Sequence, residues 1–145
     1  MTAISYDTVY SPPSADLDLL SAGIQQHNRA VMGEYESARV AVFVRDSSGD
    51  IVGGVYGDLR WDWLHIRMLW VHQGYRGQGV ATRLIRMAED EALARGITRS
   101  QVETISFQAI GFYLKCGYQV FAELRDKPVG HTWYYLKREL AAGGG

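Results

Sequence analysis

With 145 residues, 47% apolar and 21% charged, the chain has the length and composition of one globular domain, expected over residues 1–140, and not of a disordered or fibrous protein. Its 15 basic and 16 acidic residues leave a net charge of −1 with no basic stripe, which argues against nucleic acid as a partner. No apolar run could cross a bilayer, the N-terminus lacks the pattern of a signal peptide, and the lone Cys116 can build neither an internal disulfide nor a thiolate metal cluster. The expectation is a cytoplasmic protein without a membrane or metal role.

Ile4 to Tyr10 (ISYDTVY) reads as a first strand, closed by Pro12 and Pro13. Ser14 then offers an N-cap, Asp16 and Asp18 suit a first turn, and Leu17, Leu20 and Ile24 recur at helical spacing. The spacing predicts a helix from about Ala15 to about His27, weakened by Gly23 by roughly 1 kcal/mol relative to alanine. Asn28 to Ser37 is a loop or a short second helix. Arg39 to Arg45 and Ile51 to Leu59 form a hairpin across the turn Asp46 to Asp50, and Gly53, Gly54 and Gly57 mark a bulge or a close approach of another backbone or of a ligand.

Trp63 to Val71 is the central strand. Strict alternation puts Leu64, Ile66, Met68 and Trp70 on one face and Trp63, His65, Arg67, Leu69 and Val71 on the other. Gly74, Gly77 and Gly79 follow, and then a helix from about Gly79 to Arg95 with the stripe Val80, Ala81, Leu84, Ile85, Ala88 and Ala92 and an i,i+4 pair, Glu91 and Arg95. Ser100 to Ile105 is a strand. Ser106 caps a short helix from Phe107 to about Cys116, and two strands close the chain, Tyr118 to Leu124 and about His131 to Lys137. Ala141 to Gly145 reads as a flexible tail.

A strand that ends in a glycine-rich turn and feeds a helix gathers free backbone N–H groups at the positive end of a helix dipole, which makes Leu64 to Thr82 a phosphate or pyrophosphate site. It is not a P-loop, since no Lys follows the glycines. Nor does it open a repeating βαβ pattern as a dinucleotide fingerprint would.

The stretch Arg76-Gly-Gln-Gly79-Val-Ala81 resembles motif A of the GNAT superfamily of acyl-CoA-dependent N-acetyltransferases, and Ala109-Ile-Gly-Phe112-Tyr113-Leu-Lys115-Cys-Gly117-Tyr118 resembles its second signature. The resemblance spans roughly Ile51 to Leu140; the N-terminal third matches only in element order. It implies an α/β (α+β) fold: a mixed, mostly antiparallel sheet of six to seven strands flanked by about four helices, with the pyrophosphate-binding strand-turn-helix after the fourth strand. It implies acetyl-CoA as cosubstrate, with Gly77 and the backbone N–H groups of Gln78, Gly79, Val80, Ala81 and Thr82 at the pyrophosphate and Arg76 adding charge at the rim. Main-chain groups of Leu69 and Val71 would hold the pantetheine arm and polarise the thioester carbonyl. Tyr113 would protonate the departing thiolate. Ser106 stands where many relatives carry Asn, at a CoA or capping contact.

Direct transfer to an amine calls for a base, and His65 and Glu103, on neighbouring strands, are the candidates. His131 and Trp133 either line the acceptor pocket or pack as aromatics. His72 either caps the strand end or is solvated. Acidic Glu34, Glu36, Glu123 and Asp126 would attract a cationic acceptor or lie on a solvated surface. The C-terminal strand (TWYYL) is a candidate for pairing across a homodimer. Two functions fit: acetyl transfer to the amine of a small molecule or peptide, or a non-catalytic acyl-CoA-binding or regulatory module. Retention of Tyr113 and of a base favours the first.

Overall fold

The computed structural model describes residues 2–140, so the expected tail from Ala141 lies outside the described residues. The chain divides between Tyr35 and Glu36 into two compact units. The first holds α1 (Ser14–Met32). Pro13, not Ser14, occupies the N-cap position without a side-chain cap, and the helix runs past the expected His27 because no breaker intervenes before Gly33. There φ turns to 74°, and the Gly33 N–H closes the helix on the Arg29 carbonyl at 2.8 Å. The strand expected over Ile4 to Tyr10 does not form. Its apolar residues do not alternate cleanly, and all six strands of the sheet come from later in the chain.

The second unit is a six-stranded sheet in the order β1-β2-β3-β4-β6-β5: β1 (Ser37–Arg45), β2 (Ile51–Arg60), β3 (Trp63–Val71), β4 (Arg99–Ile105), β5 (Gln119–Arg125) and β6 (Thr132–Glu139). All neighbours are antiparallel except β3 and β4, which run parallel because α2 (Val80–Ala94) makes the crossover between them. A 3₁₀ turn, Gln73–Tyr75, precedes α2, and α3 (Ile110–Lys115) lies between β4 and β5. Among the described residues three α-helices and a 3₁₀ turn stand for the expected four helices, and the glycine turn follows the third strand. With β6 hydrogen-bonded to β4 on one side and β5 on the other, the TWYYL strand has no free edge to offer a second copy.

The core lies between one face of the sheet and α2. Leu84, Ile85, Ala88 and Ala92 pack on Val55, Leu59, Leu64, Ile66, Val102 and Leu136, and the larger of these side chains contribute about 1.5–3 kcal/mol each on full burial. Tyr113 and Cys116 of α3 join the same cluster. The opposite, outer face of the sheet carries exposed Phe43, Met68 and Trp70.

The β2–β3 register explains what strict alternation missed. Tyr56 pairs with Met68 but Gly57 with Ile66, so Arg67 is an extra residue in β3. Beyond this bulge the faces exchange. Leu69 and Val71 turn to the helical side with Leu64 and Ile66, while Met68 and Trp70 turn outward. Glycine at position 57 is a requirement of the bulge, since a Cβ there would sit 2.7 Å from the His65 carbonyl oxygen.

Candidate functional site

The bulge also opens the sheet. β3 and β4 pair only from Leu64↔Ser100 to Ile66↔Val102, and past that point they splay. The gap is a cleft of ≈ 440 Å³ lined by residues of both faces, among them Arg67, Leu69, Glu103, Thr104 and Tyr113. The His72 N–H donates to the Val52 carbonyl at 2.7 Å, so by strand alternation the N–H and C=O groups of Leu69 and Val71 point away from β2, Leu69 lining this cleft and Val71 the one beside the glycine-rich loop. The Arg76 side chain already uses one of them: its Nε donates to the Val71 carbonyl at 2.9 Å.

Below the cleft the chain turns through a glycine-rich loop. His72 caps the 3₁₀ turn that follows β3, its Nδ1 accepting the Gly74 N–H at 3.1 Å. Gly79 takes a left-handed conformation (φ 79°) at the N-cap of α2, and its carbonyl accepts the Arg83 N–H. The N–H groups of Val80, Ala81 and Thr82 precede the first intrahelical bond and are left for a ligand. They open on a second cleft of ≈ 220 Å³ lined also by Tyr75, Arg76, Gly77 and Phe112. The residues expected at the pyrophosphate are thus gathered at one helix N-terminus, except Gln78, which does not line this cleft.

Thr104 and Gln108 set the start of α3. Thr104 Oγ1 accepts the Ala109 N–H at 3.2 Å, and Gln108 Oε1 accepts the Ile105 N–H at 3.1 Å. The helix therefore begins at Ile110 and not at Phe107. Ser106 does not cap it: its Oγ accepts the Thr132 N–H at 3.1 Å and lies 3.3 Å from His131 Nδ1, which ties the loop to the start of β6. One turn into α3, the buried Tyr113 lines the cleft, its ring edge-on to Phe112 and Tyr118. Burial, and secondarily Cys116, pushes its phenol up to about 12, so it is protonated at neutral pH. Its hydroxyl has no partner among the described residues, which leaves its proton for a ligand.

His65 and Glu103 project on the outer face and meet each other, His65 Nε2 lying 3.1 Å from Glu103 Oε2. Glu103 lines the splayed cleft, while His65 lines an adjoining outer pocket. The two base candidates are therefore a single pair. His65 does not share its side-chain face with Leu69 and Val71, because the bulge lies between them.

Other expected roles resolve into local structure. His131 packs edge-on against Phe107 at 4.7 Å, and Lys127 Nζ stands 4.2 Å over the Trp133 ring, so both take the packing alternative. Glu34 pairs with Arg29, Glu123 with Arg125, and Asp126 accepts the Gly130 N–H. Among the ion pairs of the described residues there is none between Glu91 and Arg95. The buried acid of α2 is Glu89, which accepts from Arg86 at 2.7 Å, Arg138 at 2.8 Å and the Tyr118 hydroxyl at 2.9 Å, with Ser100 Oγ 2.8 Å from that hydroxyl. The signal for it is in the sequence, since Glu89 falls four residues after Ile85, inside the apolar stripe. Arg67 is the other residue that alternation concealed, because the bulge creates its position.

The sequence profile of the Acetyltransferase (GNAT) family matches residues 11–118. The chain is 44% identical over 101 residues to blasticidin-S acetyltransferase of Streptomyces morookaense, a match covering 69% of this chain and 74% of that one. An acetyltransferase from Bacillus cereus superposes with a TM-score of 0.80 at 26% identity over 92% of this chain and 98% of its own. An aminoglycoside 6'-N-acetyltransferase complexed with coenzyme A superposes with a TM-score of 0.63 at 17% identity, covering 88% of each chain, a likeness of fold. Among the described residues no helix is long and apolar enough to cross a membrane.

Proposed function

As this chain belongs to the GNAT acetyltransferase family and is an acetyltransferase, we propose that it moves the acetyl group of acetyl-CoA to a primary amine of a small, antibiotic-like molecule by direct attack in a ternary complex. The observation that carries this reading is the splayed β3–β4 cleft, with the His65–Glu103 pair at its outer side and the Tyr113 hydroxyl at its helical side. A thioester laid in that gap would have an acid on one side and a base on the other.

The residues then divide the work. The N–H groups of Val80, Ala81 and Thr82, with the left-handed Gly77 and Gly79 and with Arg76, bind the pyrophosphate of CoA. Backbone groups of Leu69 and the Val71 N–H align the pantetheine arm, and a strand N–H aimed into the cleft stabilises negative charge on the thioester oxygen. The amine enters from the outer face, where the His65–Glu103 pair takes its proton. Tyr113 donates its hydrogen bond to the sulfur as the C–S bond breaks. Phenol at about 12 is a weaker acid than an ordinary thiol, so this bond stabilises the thiolate before the proton itself is transferred. Ser106, whose Oγ accepts the Thr132 N–H, supports the loop beside the cleft.

The acceptor class rests on the relative named for blasticidin S. The test is purified protein with acetyl-CoA and a panel of blasticidin S, an aminoglycoside, a polyamine and a lysine peptide, following free thiol and acetylated product. Thiol release with one of the first two is expected. Release only with the lysine peptide would overturn the small-molecule assignment, and tight CoA binding without release on any acceptor would favour a non-catalytic module.

A further inference from the structure

The outer face beside His65 carries an arrangement of charge that acetyl transfer by itself does not need. Two clefts adjoin there, of ≈ 200 Å³ and ≈ 290 Å³, and both are lined by Asp58, Arg60 and Arg67; the first adds Trp61, Trp63 and His65, the second Arg39. Their linings hold three guanidinium groups and one carboxylate. Asp58 Oδ2 already accepts Arg67 Nε at 2.7 Å, which fixes the Arg67 side chain and leaves both of its terminal nitrogens without a partner among the described residues. Arg60 lies 4.6 Å over the Trp61 ring and pairs with no carboxylate among the described residues. Arg67 also lines the splayed cleft, so it joins the place where an acetyl group would be transferred to the place where positive charge accumulates.

We propose that these clefts form an acceptor subsite for a carboxylate, held by Arg67 and Arg60 with Arg39 behind them, so that the preferred acceptor is an amine that also carries a carboxylate and a ring. The geometry supports each part. A guanidinium with a free terminal pair of donors matches a planar carboxylate in a two-point contact. The Trp61 and Trp63 indoles give the ring between amine and carboxylate an apolar wall. Trp61 and Asp62 are the two loop residues of the β2–β3 hairpin, both with positive φ (53° and 66°), a conformation usually given to Asn-Gly, so a large indole is held at this rim at some backbone cost. The anion is not one of the CoA phosphates, because the pyrophosphate cradle lies at the helical side of the sheet and these clefts open on the other.

This inference rests on the acetyl-transfer reading for its meaning, but its test needs no turnover. Hippurate, which has a ring, an amide and a carboxylate, and its neutral analogue hippuramide are titrated into ¹⁵N-labelled full-length protein while the indole N–H signals are followed. Saturable shifts of Trp61 and Trp63 with millimolar hippurate are expected, with hippuramide about tenfold weaker. Arg60→Gln and Arg67→Gln should each weaken hippurate about tenfold without changing hippuramide, whereas Arg45→Gln, on the same face outside both clefts, should bind hippurate as the parent does. Arg60→Gln leaves no carboxylate unpaired and so separates lost recognition from lost folding. Equal affinity for the two probes, no saturable shift with hippurate, or undiminished binding in both variants overturns the subsite. A protein that releases thiol with blasticidin S yet fails this titration loses the subsite and keeps the transferase assignment; discrimination of the probes without thiol release does the reverse.

Discussion

Replacing Tyr113 by Phe isolates the acid role, because the change removes one oxygen and little else. The ring is 5% exposed and wedged between Phe112 and Tyr118, and Phe keeps those contacts. The lost hydroxyl has no partner among the described residues, so no donor or acceptor there is orphaned and the melting temperature should move by no more than about 2 °C. In the transition state the same hydroxyl would donate to a sulfur acquiring negative charge, and hydrogen bonds to charged groups are worth about 1.5–3 kcal/mol. That converts to a fall in kcat of roughly 10- to 150-fold. Acetyl-CoA affinity should change by less than about twofold, since the cradle at Gly79–Thr82 is untouched. Stopped thiol-release assays give kcat and calorimetric titration gives affinity. The pH profile adds a constraint: with its pKa pushed up to about 12 by burial, the phenol is protonated below that value and loses its proton only above it, so the parent enzyme shows no alkaline loss from Tyr113 through mildly alkaline pH. A variant within twofold of the parent kcat, or an alkaline limb near neutrality that Tyr113→Phe abolishes, refutes the assignment.

Gly79→Glu should abolish acetyl-CoA binding measured by calorimetry, since it forces a side chain onto a φ of 79° and sets a carboxylate at the pyrophosphate cradle; parental affinity would mean that the cradle is misplaced. Glu103→Gln should lower kcat by about a hundredfold or more, and His65→Gln, which removes the carboxylate's partner, should lower it less; if both stay within about threefold, the pair is not the base. Glu89→Gln strips the counter-charge from Arg86 and Arg138, and since both arginines reach water the cost is put at about 2–4 kcal/mol, a melting point roughly 5–12 °C lower; an unchanged melting point would show that the network carries no net stability.

The two signature stretches were legible because their demands are local. A left-handed Gly79 at a helix N-terminus and a Tyr in a short helix need only their neighbours in sequence, and both elements form, although the second begins at Ile110 and not at Phe107. The central strand was misread because its shape is decided by its partner. Arg67 is an ordinary residue in a β-branched and aromatic run, and nothing in β3 itself announces a bulge. The sign lay one strand away in Gly57, where the His65 carbonyl comes within 2.7 Å of the position a Cβ would take. Three consequences follow from that one inserted residue. Leu69 and Val71 exchange faces, so their side chains seal against α2 and their backbone groups stay aimed at the cleft. β3 parts from β4 just where Glu103 and Tyr113 stand on opposite faces. Arg67 itself is driven onto the outer face beside Asp58. Strand separation, acid–base placement and a cation at the acceptor side are thus one structural event, and a substitution that restores regular β2–β3 pairing should remove all three together.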